Sequence, residues 1–304
     1  MKTMNLGMSG LEVPVILVGC MRINTISREE ADAFIRGALD IGANFFDNAD
    51  VYGDGACEEI FSSTLARVRR QEIIIQTKCG IRKGISFDFS KEHIINATEK
   101  SLKRLKTDYI DVLLLHRPDI LAEGEEVAEA FGKLHASGKV RYFGISNHNP
   151  GQIELLKKHV KQPLIVNQLQ FSAAHALLVT EGIYVNMLND EGINRTGGIL
   201  DYCRLHDITI QAWSPFQYGF FDGVFLESTK YPKLNIAINK AAKKYGVSNT
   251  TIAIAWILRH PAKIQPVTGT MKTERLKDCV KAAEIKLTRE EWYDIYQAAG
   301  NKLP

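Results

Sequence analysis

Eight short apolar runs, separated by longer amphipathic stretches, constrain this chain more than any other feature. They lie at residues 13–18, 44–46, 73–77, 109–115, 140–145, 164–168, 209–212 and 264–267. Most are apolar at every position, which suits parallel strands covered on both faces. The stretches between them carry helix signals. Ser27 with Glu30 makes a capping box for a helix running to about Ile41, and Gly42 stops it. Ser90 opens a helix at 91–105, and Asn149-Pro150 opens another with proline at its first position. Ser248 precedes an apolar helix at 251–258 that ends before Pro261. Two more, at 273–283 and 289–298, follow the last strand, the second capped by Thr288.

Eight strand–helix repeats without a Gly/Ser-rich linker predict one α/β domain over residues 1–304. The expected fold is a single (β/α)8 TIM barrel with extra C-terminal helices. Residues 2–12 read as an N-terminal hairpin around Ser9-Gly10 that plugs the barrel bottom. The stretch 172–198 has weak periodicity and the turn residues Asn189, Asp190 and Gly192. It falls after the sixth strand, where a long loop is expected to overhang the active face and influence substrate choice.

Composition narrows the function classes. With 38 basic and 35 acidic residues the net charge is +3, which argues against nucleic-acid binding. Lys240, Lys243 and Lys244 recur at helical spacing, as on a solvated face. The five cysteines show neither CxxC nor metal-ligand spacing, so no metal site and no disulfide framework is expected. The first residues lack the apolar core of a signal peptide, and no run approaches the roughly 20 apolar residues of a membrane span. A cytoplasmic protein is expected, with a monomer favoured and the oligomeric state open.

In (β/α)8 barrels the chemistry sits at the C-terminal ends of the strands. Asp47 follows 44–46, Lys78 follows 73–77 and His116 follows 109–115, while Tyr52 lies one short loop beyond Asp47. Alone, each is compatible with a solvated strand exit, a satisfied histidine or a packing aromatic. Together they make a proton-delivery constellation. A phenol with a pKa near ~10 is a poor donor at neutral pH, and an adjacent ammonium lowers it. Lys78 is placed to do this, Asp47 to hold Lys78, and His116 to hydrogen-bond a carbonyl oxygen that gains negative charge.

These residues sit in motifs that resemble the aldo-keto reductases. The pieces are Phe46-Asp47-Asn48-Ala49-Asp50-Val51-Tyr52-Gly53, Thr77-Lys78 and Leu115-His116-Arg117-Pro118-Asp119. Gly144-Ile145-Ser146-Asn147, Val166-Asn167-Gln168, Trp213-Ser214-Pro215 and the segment from Gly269 to Cys279 complete the set in order. Gly198 to Cys203 and Phe216 to Phe221 are similar to YdhF-like bacterial oxidoreductases. The resemblance implies a catalytic tetrad of Asp47, Tyr52, Lys78 and His116, and a nicotinamide across the barrel mouth. It implies carboxamide contacts from Ser146, Asn147 and Gln168, a ring stacked on Trp213, and a pyrophosphate path along Ser214, Phe216 and Gly219. Trp213 is also compatible with plain core packing.

Gly19, Cys20, Met21 and Asp47 would adjoin the cofactor from the first two strands. Thr270, Lys272 and Arg275 would wrap an adenosine 2′-phosphate, favouring NADPH over NADH, unless the two cations are ordinary exposed helix residues. Asp278 would meet the adenine, and Cys279 stands where the family commonly has Asn. Met21 suggests an adaptable apolar wall. Arg22 is equally compatible with an anion contact and with facing solvent. The expected activity is reduction of a small aldehyde or ketone. Two other classes stay open: a nicotinamide-binding regulatory or scaffold subunit, and a non-redox barrel enzyme such as a sugar isomerase.

Overall fold

A computed structural model describes residues 1–65 and 68–304. Eight parallel strands close into a barrel. In chain order they are β1 (Leu17–Gly19), β2 (Phe45–Asp47), β3 (Ile74–Cys79), β4 (Ile110–Leu115), β5 (Val140–Ser146), β6 (Leu164–Gln170), β7 (Thr209–Trp213) and β8 (Gln265–Thr268). Each pairs with the next, and β8 returns to β1 through Val267↔Leu17. Outside them lie α1 (Arg28–Asp40), α2 (Ala56–Leu65), α3 (Lys91–Leu105), α4 (Gly124–Ala136), α5 (Pro150–Lys157), α6 (Leu177–Ile183), α7 (Ile199–Leu205), α8 (Pro232–Tyr245), α9 (Asn249–Leu258), α10 (Thr273–Lys281) and α11 (Arg289–Ala298). The capping signals are realised: Ser27, Asn149 and Thr288 each form a reciprocal box, and Ser90 and Ser248 each accept one backbone N–H. No helix among the described residues is long and apolar enough to cross a membrane.

Inward-facing positions recur every second residue along a barrel strand. On β3 the series Ile74, Gln76, Lys78 climbs from an apolar floor to a charged rim, and on β2 Phe45 is followed by Asp47. The lower interior is an apolar cluster of Leu6, Val13, Leu17, Phe45, Val112, Leu114, Ile165, Val166 and Val267. Leu6 and Val13 come from the N-terminal hairpin, whose strands Thr3–Asn5 and Glu12–Pro14 pair antiparallel. Gly7 N–H donates to Thr209 Oγ1 at 2.7 Å, fastening the hairpin under β7.

Two expectations are corrected. The run 13–18 is not one strand: Val13 and Pro14 complete the hairpin, and β1 begins only at Leu17. Pro14 has no N–H to offer a barrel ladder, so the chain changes partners there. The stretch 172–198 contains α6, and none of its residues lines the cavity at the C-terminal ends of the strands. Thr180 Oγ1 lies 2.9 Å from the Tyr296 hydroxyl of α11, and Tyr184 donates to the Lys302 carbonyl at 2.7 Å. Those bonds tie it to the C-terminal segment.

Candidate active site

Residues at the C-terminal ends of the strands wall a cleft of about 840 Å³. That is ample for a small-molecule ligand. Main-chain ladders carry the tetrad to the rim. Asn48 N–H donates to the Gln76 carbonyl at 2.8 Å, Asp50 N–H to the Lys78 carbonyl at 3.1 Å, and His116 N–H to the Cys79 carbonyl at 2.9 Å. Tyr52 opens a tight turn in which Gly53 has φ +56°. A Cβ at Gly53 would come within 2.6 Å of the Asn24 amide nitrogen and would sit on a left-handed backbone, so the turn that presents the phenol favours glycine there.

Lys78 is the hub. Its Nζ donates to Asp47 Oδ1 and Oδ2 at 2.7 Å each, to the Asn48 carbonyl at 2.9 Å and to the Tyr52 hydroxyl at 3.1 Å. Burial alone would depress this ammonium, but the charge of Asp47 and then of Tyr52, with hydrogen bonds to both, carries it above its ordinary value. Lys78 therefore stays charged beneath the phenol. Burial raises the Tyr52 phenol above its usual value, and the Lys78 charge opposes that rise without cancelling it. Burial, then Lys78 and Arg117, hold His116 well below the usual imidazole value, so it is neutral at physiological pH. Its ring meets Tyr52 edge-on, with centroids 5.7 Å apart, and its Nδ1 is buried without a partner among the described residues.

Beneath this tetrad lies a buried amide network whose components are single glutamines on four strands. Gln76 Nε2 donates to Asp47 Oδ1 at 2.6 Å and to Gln211 Oε1 at 2.8 Å. Gln168 Nε2 makes the same two bonds at 3.2 and 3.0 Å. Gln211 Nε2 donates to Gln76 Oε1 at 3.1 Å and Gln265 Oε1 at 3.0 Å, and Gln265 Nε2 ends the chain on the Pro14 carbonyl at 2.6 Å. Asp47 and the Pro14 carbonyl can only accept, so every amide between them has a fixed orientation. Gln168 in particular must turn its nitrogen to Asp47, which leaves its Oε1 as the remaining acceptor.

The expected cofactor residues fall into two groups. Gly19, Met21, Asp47, Ser146, Asn147, Gln168, Trp213, Ser214, Phe216, Thr270 and Arg275 all line the cleft. Cys20, Gly219, Lys272, Asp278 and Cys279 are not among its walls. The side chains of Cys20 and Cys279 are fully buried, and burial pushes the Cys279 thiol up to about 12. Ser146 Oγ donates to the Gln168 carbonyl at 2.8 Å, Asn147 Nδ2 to Ser146 Oγ at 2.7 Å, and Trp213 Nε1 to Asn147 Oδ1 at 3.1 Å. Asn147 and Ser214 hold left-handed conformations at φ +61° and +53°, a strain that concentrates at functional sites. Trp213 has Phe221 stacked near it at 5.8 Å and the Arg117 guanidinium at 5.6 Å from its ring centroid.

Other walls were not singled out from the sequence. Phe220, Phe221, Val224, Leu226 and Glu227, from the segment after β7, line the cleft, and no residue of 172–198 does. The segment after β7 therefore supplies the cleft walls expected of the earlier loop. The signal available for the network was the polar residue two places from the rim on β3 and β7, Gln76 before Lys78 and Gln211 before Trp213.

Comparison with known proteins decides the family. The sequence profile of the aldo/keto reductase family matches residues 15–299. The chain is an aldo-keto reductase. It is similar to the 6-dehydroglucose reductase of Agrobacterium fabrum, at 35% identity over 96% of each chain. It is similar also to the oxidoreductase YdhF of Escherichia coli, at 34% identity over 90% of this chain and 89% of the relative. Its fold superposes on the thermostable aldo-keto reductase Tm1743 with a TM-score of 0.80, at 24% identity over 98% of this chain and 100% of that one. The protein is thus an oxidoreductase of a family that acts on small carbonyl compounds, generally with nicotinamide cofactors.

Proposed function

We propose that this aldo-keto reductase reduces an aldehyde or ketone to the alcohol with NADPH, and that Tyr52 is the proton donor. The observation that carries the reading is the single Lys78 ammonium bonded at once to the Asp47 carboxylate and to the Tyr52 hydroxyl, at the edge of the cleft. When bound, the reduced nicotinamide supplies a hydride to the carbonyl carbon.

The protein's own groups manage the charge that this creates. Negative charge develops on the substrate oxygen, and the Tyr52 O–H transfers its proton there. Burial makes the phenol a weaker acid, and the Lys78 charge opposes that effect. Lys78 stabilises the phenolate left behind, and Asp47 keeps Lys78 charged and aimed. Neutral His116 donates or orients a hydrogen bond at the same oxygen. Overall the carbonyl gains a hydride and a proton, and the cofactor is oxidised.

The donor set suits a dinucleotide. Gln168 Oε1 is free to accept from a carboxamide N–H, because its amide nitrogen is committed to Asp47 and Gln211. Thr270 and Arg275 line the far end of the cleft, beside the start of α10. A guanidinium there favours a 2′-phosphate and hence NADPH over NADH. All five cysteines are free and buried, which suits a reducing cytoplasm. A carbonyl panel assayed by loss of reduced-nicotinamide absorbance, with NADPH and NADH in parallel, tests the reading. Turnover with a preference for NADPH is expected, and the preference should shrink in Arg275→Ala. Failure of every carbonyl with both cofactors would sink it.

A further inference from the structure

The cleft holds a cation that this chemistry leaves without a direct task. Arg117 follows His116 past the end of β4, is partly buried, and lines the cleft with Tyr52 and His116. Its guanidinium lies 5.6 Å from the Trp213 ring centroid and 5.7 Å from that of Phe220. Two aromatic rings therefore steady it, and neither offers an oxygen. Among the described residues Arg117 has no hydrogen bond and no ion pair.

Other partly buried arginines of the fold are satisfied. Arg70 donates to Thr107, the Ile73 and Tyr109 carbonyls and Asp111, and Arg104 donates to Glu58 and Ser101. Arg117 instead keeps a planar fork of donors facing a cleft, with burial working against its charge. Withdrawing such a group from water without an acceptor is costly, and an oxyanion entering the cleft would remove the cost.

Position says which molecule brings that oxyanion. In the ring of eight strands, β4 stands four places from β8 and so lies across the barrel from it. The proposed phosphate-binding residues Thr270 and Arg275 follow β8, whereas Arg117 adjoins the proton donor. Asp47 and Lys78 offset each other, and Arg117 adds a positive charge to the cleft wall that also holds Tyr52 and His116.

We propose that Arg117 recognises an anionic group of the substrate, and that the preferred substrates are oxo-acids, carbonyl compounds bearing a carboxylate or another oxyanion near the reacting carbon. This rests on the carbonyl-reductase reading and adds a substrate class to it. Arg117 is a specificity residue, distinct from the tetrad.

The test compares ω-oxo-carboxylates of increasing chain length with the neutral terminal amides of the same lengths, as kcat/KM with NADPH. Wild type should prefer the acid by at least about tenfold at one length, the scale of a charge-assisted hydrogen bond. That preference should fall with added salt. Arg117→Met should bring the ratio close to one at that length, and Arg117→Lys should retain part of it. NADPH binding, read by quenching of tryptophan fluorescence, should change by no more than about twofold, since the charge lost is assigned to substrate. Three outcomes would each overturn the proposal: amides equal or better at every length, a ratio that survives Arg117→Met, or NADPH binding weakened as much as the oxo-acid reaction. The parent reading fails separately, if neither acids nor amides consume NADPH. Calorimetric titration of the matching hydroxy-acids reads Arg117 without turnover: wild type should bind them and Arg117→Met should not, and equal binding would again refute the assignment.

Discussion

The two ends of the barrel interior are built from the same strands and obey opposite rules. At the lower end Leu6, Val13, Phe45, Val112 and Leu114 fill the space with apolar side chains contributed partly by the hairpin. One or two inward positions higher, Asp47, Gln76, Lys78, Gln168 and Gln211 are equally buried and entirely polar. The lower end gains by removing apolar surface from water. The upper end must satisfy each buried polar atom individually, and leaving one unpaired is expensive. Apolar packing and polar pairing are therefore segregated along the barrel axis, and substitutions at the two ends should fail in different ways.

The largest contrast is expected at Lys78. Lys78→Met removes the cation under Tyr52 and leaves the Asp47 carboxylate buried without its counter-ion. Carbonyl reduction should fall by about 100- to 10,000-fold, the usual worth of positioned acid–base catalysis. NADPH affinity should stay largely intact, with melting temperature and cofactor titration separating the two effects. The complementary change is Leu114→Ala, in the fully buried lower cluster. It should cost about 2–5 kcal/mol of stability in a denaturant titration while kcat of the folded enzyme changes little. A loss of kcat as large as that in Lys78→Met would break the comparison.

Gln211→Leu probes the boundary between the ends. It removes the acceptor shared by Gln76 and Gln168 and the donor to Gln265. Both amides that orient Asp47 then lose a partner, at about 1–3 kcal/mol for the groups left unsatisfied. The expected result is lower stability, weaker cofactor binding through Gln168 and a slower reaction. A change confined to stability would place Gln211 with the floor.

A smaller effect is expected at Asp50, whose carboxyl is pushed up to about 7 by burial and then by the nearby Glu58 charge. The folded protein holds a proton there that the unfolded chain, with a carboxyl near pKa ~4, has released. Stability from this group is therefore fully present at acid pH and lost as pH rises towards about 7. Asp50→Asn should raise the melting temperature relative to wild type progressively between about pH 4 and 7 and by a constant amount above that, worth roughly 1–3 kcal/mol. A stabilisation independent of pH would show that Asp50 is not protonated in the folded state.

The comparison also explains what could be read from the amino-acid order. Strands and capping boxes are local, so the apolar runs and Ser27, Asn149 and Thr288 announce themselves. The convergence of Asp47, Tyr52, Lys78 and His116 was visible because each sits at or just beyond a strand end, where barrel geometry makes residues meet. The glutamine network was hidden, because no single buried glutamine signals four strands meeting around one carboxylate. Pro14 concealed the change from hairpin to barrel inside one apolar run. The course of 172–198 depends on Thr180 meeting Tyr296 and Tyr184 meeting Lys302, contacts between residues 116 and 118 positions apart. No local pattern encodes such a pairing. Arg117 appeared in the sequence only as part of a motif, and its lack of an acceptor among the described residues is a property of the folded cleft.

On the proposed reading, Tyr52 at the upper end of the barrel delivers the proton to the substrate oxygen. A single-turnover experiment tests this most directly: enzyme preloaded with NADPH is mixed with an accepted carbonyl, and nicotinamide oxidation is followed in wild type and in Tyr52→Phe. Comparable NADPH binding is expected in both, with a hydride-transfer phase at least about 100-fold slower in the variant. No break is expected in the wild-type rate near the ordinary imidazole pKa of about 6.5, because burial keeps His116 neutral through that range. A Tyr52→Phe enzyme that oxidises NADPH as fast as wild type would contradict the proposed reading.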